Sequence, residues 1–273
     1  MDFGISTYMF VDQRLGSHAL DRILQAGIRT VELFAARQHL DYHDAHHVRD
    51  VAQWFKDHEV SLHSLHAPLF NDHDWGRSGG LAISVAYKEK RLRIDSMDEI
   101  KRAIEVAEAL PFKYLILHLG VPEEDYDLDK FDASLTSIEH LNLFAKERGV
   151  QILLENTPND LSTPERLLQF IQYTRLDLKI CFDTGHAHMT SGVQAAFETL
   201  KDRIVSTHIH DNRREKDDHL MPFDGEIDWD QTIRDFRTME RRFPILFELR
   251  NYGPEVTSLG RLREVVRKFD AIR

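Results

Sequence analysis

Cysteine is nearly absent from this 273-residue sequence, in which Cys181 stands alone. One thiol cannot close an intrachain disulfide, so stability must come from an apolar core, and such cysteine usage suits a reducing compartment. Long apolar runs are missing too. No stretch approaches the roughly 18 continuous apolar residues of a membrane span, and Met1 to Phe10 lacks the basic start and apolar core of a secretory signal. A cytoplasmic location with no membrane partner is the expectation. Basic charge is also scarce, with 35 Lys and Arg against 46 Asp and Glu and a net charge of -11. That balance gives no general attraction to nucleic acid, although bound cations would reverse the field locally. No G-x-S-x-G elbow, Walker loop or C-x-x-C occurs, so serine-nucleophile, P-loop and thiol-redox chemistries lack support. No Gly/Ser-rich linker or low-complexity tract divides the chain, and residues 1–273 read as one domain.

What the sequence does contain is alternation. Hydrophobic residues make up 42% and charged residues 30%, enough for a large core and a solvated surface. Short apolar runs alternate with segments of helical period, which predicts eight βα units. The predicted strands are Phe3 to Thr7, Thr30 to Phe34, Ser61 to Leu65, Tyr114 to Leu119, Gln151 to Glu155, Lys179 to Asp183, Ile204 to His210 and Ile245 to Leu249. Between the fourth and fifth, Leu128, Phe131, Leu135, Ile138 and Leu141 form a stripe expected to face the barrel. Gly27 and Gly149 are placed to end helices. Ser162-Thr163-Pro164-Glu165 and Asp228 read as helix starts. No G-x-G-x-x-G follows the first strand, so a closed α/β TIM-type (β/α)8 barrel is preferred over an open dinucleotide-type sheet. The long polar connection Asn71 to Ala86, containing Trp75, reads equally as a lid over the catalytic face or as a loose insertion.

Six successive predicted strands deliver an acid or imidazole near their C-terminal ends: His66, His118, Glu155, Asp183, His208 and Glu248. Active sites of such barrels sit on that face. Gathered in a partly apolar mouth, these groups would repel or stay unsatisfied without a cation, and mixed nitrogen and oxygen donors suit Mn, Co, Zn or Fe. His186, His210, Asp217 and His219 form a second tier nearby. His39, His43, His46 and His47, in a stretch expected to be exposed, show that many of the 16 histidines need no ligand role. Cys181, two residues before Asp183, is expected deeper on the same strand face as core packing.

These residues resemble the xylose isomerase-like TIM barrels, a group that includes sugar-phosphate isomerases and epimerases and the endonuclease IV branch. The resemblance is carried along the whole chain by Leu65-His66-Ala67-Pro68, His118-Leu119-Gly120, Leu154-Glu155-Asn156-Thr157, Phe182-Asp183-Thr184-Gly185-His186, His208-Ile209-His210-Asp211-Asn212, His219 to Trp229 and Phe247-Glu248. In the ketose 3-epimerase branch it implies one Mn or Co ion on Glu155, Asp183, His208 and Glu248, with His186 and Arg214 touching substrate oxygens and Arg213 competing for the latter role. In the endonuclease IV branch it implies three zinc ions that also use His66, His118, His186, Asp217 and His219. Pro158-Asn159-Asp160 and Ala187-His188-Met189 depart from the nuclease pattern and disfavour DNA.

The resulting expectation is a metal-dependent sugar or sugar-phosphate isomerase or epimerase using one to three Mn, Co or Zn ions. Glu155 and Glu248 would exchange a proton beside a carbonyl through a metal-stabilised enediolate. Trp75, with His186 and Arg214, is a substrate-contact candidate. The alternatives are a trinuclear-zinc phosphodiester hydrolase, a lyase or dehydratase acting on oxidised sugars, and a sugar-binding barrel without turnover. A small sugar is the expected partner, and a homo-oligomer is left open.

Overall fold

The computed structural model describes residues 1–253 and 257–273. Its strands are β1 (Phe3–Ser6), β2 (Thr30–Phe34), β3 (Ser61–His66), β4 (Tyr114–Leu117), β5 (Gln151–Glu155), β6 (Lys179–Asp183), β7 (Ile204–His208) and β8 (Ile245–Phe247). All are parallel, in the order β7-β6-β5-β4-β3-β2-β1-β8. The seam between the two ends is bridged by Ile209 N donating to Leu246 O at 2.8 Å and Glu248 N donating to Ile209 O at 3.1 Å. The sheet therefore closes on itself as a TIM barrel, and the open alternative is excluded.

The connecting helices are α1 (Ser17–Gln25), α2 (Ala45–Asp57), α3 (Lys90–Glu105), α4 (Leu128–Lys146), α5 (Pro164–Thr174), α6 (Thr184–Met189), α7 (Val193–Leu200), α8 (Trp229–Arg237) and α9 (Leu259–Ala271). Their limits follow from local chemistry. Thr163 Oγ1 accepts from Arg166 N with Pro164 in the first turn of α5, and Asp228 accepts from Gln231 N at the start of α8. Gly27 and Gly149 take φ of +82° and +72° after α1 and α4, a region that residues with a Cβ rarely enter.

Two apolar layers result. The larger lies between sheet and helices; the smaller fills the barrel, where Tyr114, Ile116, Leu153 and Cys181 pack together. Cys181 is fully buried, and that burial pushes its thiol pKa up, which keeps it protonated. Along α4, Phe131, Ile138 and Leu141 are buried as expected, but Leu128 is 63% exposed. It is the first residue of the helix, where the first turn stands in solvent. His39 and His47, expected in an exposed stretch, are buried and bond the carbonyls of Gln13 and Leu15.

Four strands are shorter than the apolar runs suggest, β1 by one residue, at Ser6. The strands β4, β7 and β8 end at Leu117, His208 and Phe247, with one further bridge from Ile209 to Phe247 at the seam, and the chain then turns into the upper loops; His118, His210 and Glu248 thus ride on loop starts. The connection Asn71 to Ala86 doubles back on itself: Asn71 N donates to Leu81 O and Ile83 N to Leu69 O, and Trp75 packs edge-on against Tyr8, Phe34 and Phe70. Of the two readings, an ordered cover over the barrel mouth matches this packing.

The loop between β7 and α8 is tied by one acid. Asp211, fully buried, accepts from Asn212 N at 2.9 Å, Phe223 N at 3.0 Å, Ile227 N at 3.1 Å and Trp229 Nε1 at 2.7 Å. A Cβ at Gly225 would lie 2.3 Å from Asp211 Oδ1, so only glycine lets the turn wrap this closely. Asp211→Ala, which strands four donors, three of them on buried residues, is expected to cost about 3 kcal/mol or more in urea unfolding, and Asp211→Asn less. A loss under about 1 kcal/mol for Asp211→Ala would mean that the loop holds itself without this knot.

Candidate metal centre

Parallel strands all point the same way, so residues at their C-terminal ends meet on one face. His66, Glu155, Asp183 and His208 are the last residues of β3, β5, β6 and β7, and His118 and Glu248 follow β4 and β8 by one. Glu155 is the hub. Its Oε2 lies 3.2 Å from His118 Nε2 and 3.6 Å from His66 Nε2, and its Oε1 lies 3.2 Å from both His186 Nδ1 and His208 Nδ1. His208 Nδ1 also sits 3.6 Å from Glu248 Oε2 and 3.9 Å from Asp183 Oδ2.

The outer tier gathers around Asp217, whose Oδ2 is 3.0 Å from His219 Nε2 and 3.2 Å from His186 Nε2. His210 lies between the tiers, with Nε2 3.0 Å from Asp183 Oδ2 and its ring stacked on His219 at a 4.0 Å centroid separation. Gly185 makes room for it, since a Cβ there would fall 1.9 Å from His210 Cε1.

Among the described residues three donor sets emerge, each with its ligand atoms within 4.8 Å of one another: Glu155, Asp183, His208 and Glu248; His66, His118 and Glu155; and His186, His210, Asp217 and His219. The donor chemistry fits divalent cations. Glu248 Oε1, Asp217 Oδ1 and His210 Nδ1 are buried with no hydrogen-bond partner among the described residues, an arrangement that protein groups alone leave unsatisfied. Ring orientation fits as well: His66 Nδ1 lies 2.7 Å from Ala67 O and His219 Nδ1 lies 2.9 Å from Glu248 O. Donating Nδ1–H to these carbonyls leaves each Nε2 lone pair facing the acids.

The charges are mutually shifted. Burial alone would raise Glu155, but the charges of His208 and His118 and hydrogen bonds from His118 and His186 hold it well below the usual carboxylate range. Burial likewise opposes the shift at Asp217, where His219 and His186 prevail and hold it well below that range. Asp183 is lowered by His186 and His210 against burial. For His219 burial disfavours the charged ring, yet Asp217 lifts its pKa to about 9. His186 and His208 are also raised well above the ordinary value, neighbouring acids outweighing burial.

Above these groups opens a cavity of about 450 Å³. His66, His118, Glu155, His186 and Glu248 form its floor, Tyr8, Phe34, Phe70, Trp75 and Met189 its walls, and Lys216 part of its rim. Nine expected donors and Trp75 are thus brought together around one site. Arg214 is not: it is exposed and stands outside the cavity lining, while its neighbours Glu215 and Lys216 belong to it. Two nearby residues escaped the sequence reading. Glu32, fully buried inside the barrel, has Oε1 3.1 Å from His208 Nε2; its only signal was a lone acid in the apolar strand Thr30–Phe34. Tyr8, from the turn after β1, had no signal in the pattern.

The family model described as a xylose isomerase-like TIM barrel matches residues 20–269. The chain belongs to this xylose isomerase-like family. The uncharacterized protein y4fM of Sinorhizobium fredii is 30% identical over 191 residues, covering 66% of this chain and 56% of that protein, so the match spans little more than half of the relative's length. Among solved structures, a D-tagatose 3-epimerase-like protein superposes with a TM-score of 0.80 at 22% identity, covering 100% of this chain and 98% of the other. The IOLI protein with a bound zinc atom gives a TM-score of 0.75 at 18% identity, covering 99% and 96%. At these identities the superpositions show a shared xylose isomerase-like fold. No helix among the described residues is long and apolar enough to cross a membrane.

The shifts set a pH dependence for the metal-free protein. A His219 pKa of about 9 against the ordinary 6.5 means that its charged form adds stability that is complete below about pH 6.5 and lost as pH rises through 9. His186 and His208 act in the same direction, whereas the lowered carboxylates add stability that is lost only as pH falls through their folded values. Chelator-treated protein is expected to melt at progressively lower temperature from about pH 6.5 to about pH 9. A Tm that stays flat or rises across that window would contradict the ion pairing described here.

Proposed function

We propose that the chain is a metal-dependent isomerase or epimerase acting on a sugar or sugar phosphate. The observation that carries this reading is the set Glu155, Asp183, His208 and Glu248, four buried donors within 4.8 Å of one another beneath a cavity of about 450 Å³. That volume suits a small ligand. Family membership and the superposition on a D-tagatose 3-epimerase-like protein support the substrate class. A zinc-bound relative of the same fold supports a cation.

Those four residues would hold a divalent ion, Mn, Co or Zn, which would supply Lewis-acid polarisation of a substrate carbonyl and its neighbouring hydroxyl. The protein's own groups divide the remaining work. Glu248 keeps one carboxylate oxygen with no hydrogen-bond partner among the described residues and lines the cavity, which makes it the freer base for a proton on the carbon beside the carbonyl. Glu155 approaches the same His208 Nδ1 as Glu248, at 3.2 Å, and its grip by imidazoles holds it charged and fixed in place for the complementary transfer. The Tyr8 pKa is raised by burial and then by Glu248 and Asp217, so its hydroxyl stays protonated as a donor at the cavity wall. His186 is placed to bond substrate oxygens, and Trp75 and Phe34 exclude water.

The two further donor sets favour a second reading, hydrolysis of a phosphodiester with two or three ions. A lyase acting on an oxidised sugar would share the same proton abstraction.

With Mn or Co and a panel of ketoses, aldoses and their phosphates, the chain is expected to exchange solvent deuterium into one substrate. Glu248→Gln should slow that exchange by about 10²- to 10⁴-fold. If no member of the panel exchanges, the isomerase reading is lost. Elemental analysis of purified protein separates the alternatives: one ion per chain agrees with the proposal, whereas three ions together with salt-sensitive nicking of abasic duplex DNA would replace it with the hydrolase.

A further inference from the structure

Glu32 is an acid with no obvious reason to be where it is. It sits at the middle of β2, opposite Ser6 on one side and Ser64 on the other, and all three are fully buried. Among the described residues no lysine or arginine bonds it. A shift of register between Val31 and Glu32 in the pairing with β3 brings Ser64 into line, and Ser64 Oγ donates to Glu32 Oε2 at 2.7 Å. Both flanking side chains are small, so the longer carboxylate reaches across the barrel. There it meets His208, whose Nε2 lies 3.1 Å from Oε1 and 3.2 Å from Oε2. A buried carboxylate is costly unless it is paired.

His208 is thereby held at both ends of its ring. Nδ1 faces the acids of the candidate centre, Glu155 at 3.2 Å, Glu248 at 3.6 Å and Asp183 at 3.9 Å, and Nε2 faces the carboxylate of Glu32, while the Cys181 thiol also interacts with the ring. A ring that offers its Nδ1 lone pair to a cation must carry its proton on Nε2, and that proton needs an acceptor inside the barrel. We propose that Glu32 is a positioning residue: it accepts the Nε2–H of His208 and so fixes both the tautomer and the tilt that present Nδ1 to a divalent cation. The inference rests on the metal reading above and deepens it. Outer carboxylates of this kind raise ligand basicity, and their removal weakens metal affinity about 10- to 100-fold.

The test uses zinc as a diamagnetic probe and two independent readouts. In zinc-loaded, ¹⁵N-histidine-labelled protein, with His208 assigned through His208→Gln, the Nε2 of His208 is expected to carry a proton and Nδ1 to be coordinated. Coordination through Nε2 overturns the inference from the unaltered chain alone. Chelator competition then compares the unaltered chain with Glu32→Gln and Glu32→Ala, folding being checked by circular dichroism. Glu32→Ala is expected to weaken zinc binding about 10- to 100-fold. Glu32→Gln, which keeps an acceptor oxygen and the shape, should recover part of that loss, as a void in the core would not explain. Equal affinity in all three overturns the role of Glu32 while leaving the metal site standing. Failure of the unaltered chain to bind zinc, Mn or Co overturns the metal reading itself, and this inference with it.

Discussion

Charge compensation in a nearly dry barrel mouth is the constraint on which the upper half of this molecule depends. Glu32, Glu155, Asp183 and Glu248 are each exposed by 3% or less. Isolated carboxylates in such surroundings would cost several kcal/mol apiece, and among the described residues no lysine or arginine is bonded to any of these four. Imidazoles take that part. Each acid faces at least one ring nitrogen within 3.6 Å, and the rings, neutral or charged, can adjust to a cation's arrival in a way that fixed guanidinium groups cannot.

The scaffold meets this constraint by fixing positions rather than by adding charges. Asn156 ties β5 to β6 by donating to Asp183 O at 2.8 Å and accepting from Asp183 N at 2.9 Å, which keeps two donor-bearing strand ends in register. Asp183 in turn accepts from His186 N at 2.6 Å, capping α6 and aiming His186 at the site. Asp211 offers a contrast: an equally buried acid whose oxygens are taken up by backbone and indole N–H groups. It has nothing left to offer a ligand, and its work is to shape the loop that carries Asp217 and His219.

Much of this was legible in the chain, for reasons that particular residues make plain. A parallel strand buried on both faces must be apolar, so a His, Asp or Glu at its end stands out, and Glu155, Asp183 and His208 did. Helix limits at Gly27, Thr163 and Asp228 rest on local backbone chemistry and needed no tertiary information. Leu128 misled because periodicity reports a face of the helix, and the first residue on that face can still stand in solvent. Glu32 was overlooked because one acid in a strand can face solvent, a helix or the lumen, and only closure of the barrel puts it beneath His208. Tyr8 and the placement of Arg214 outside the cavity depend on loop paths that no period encodes.

Fold and family narrow the chemistry without choosing the substrate, since function on a barrel resides in the loops and strand ends. One feature of those ends bears on how the site can change. Glu155 belongs to two donor sets at once, its Oε2 turned to His66 and His118 and its Oε1 to His186 and His208. A change at Glu155 therefore alters both sets together and cannot tell them apart. Only the unshared members, His66 and His118 on one side and Asp183, His208 and Glu248 on the other, are free to drift separately. Along those positions a lineage could shed or acquire an ion while keeping the barrel intact.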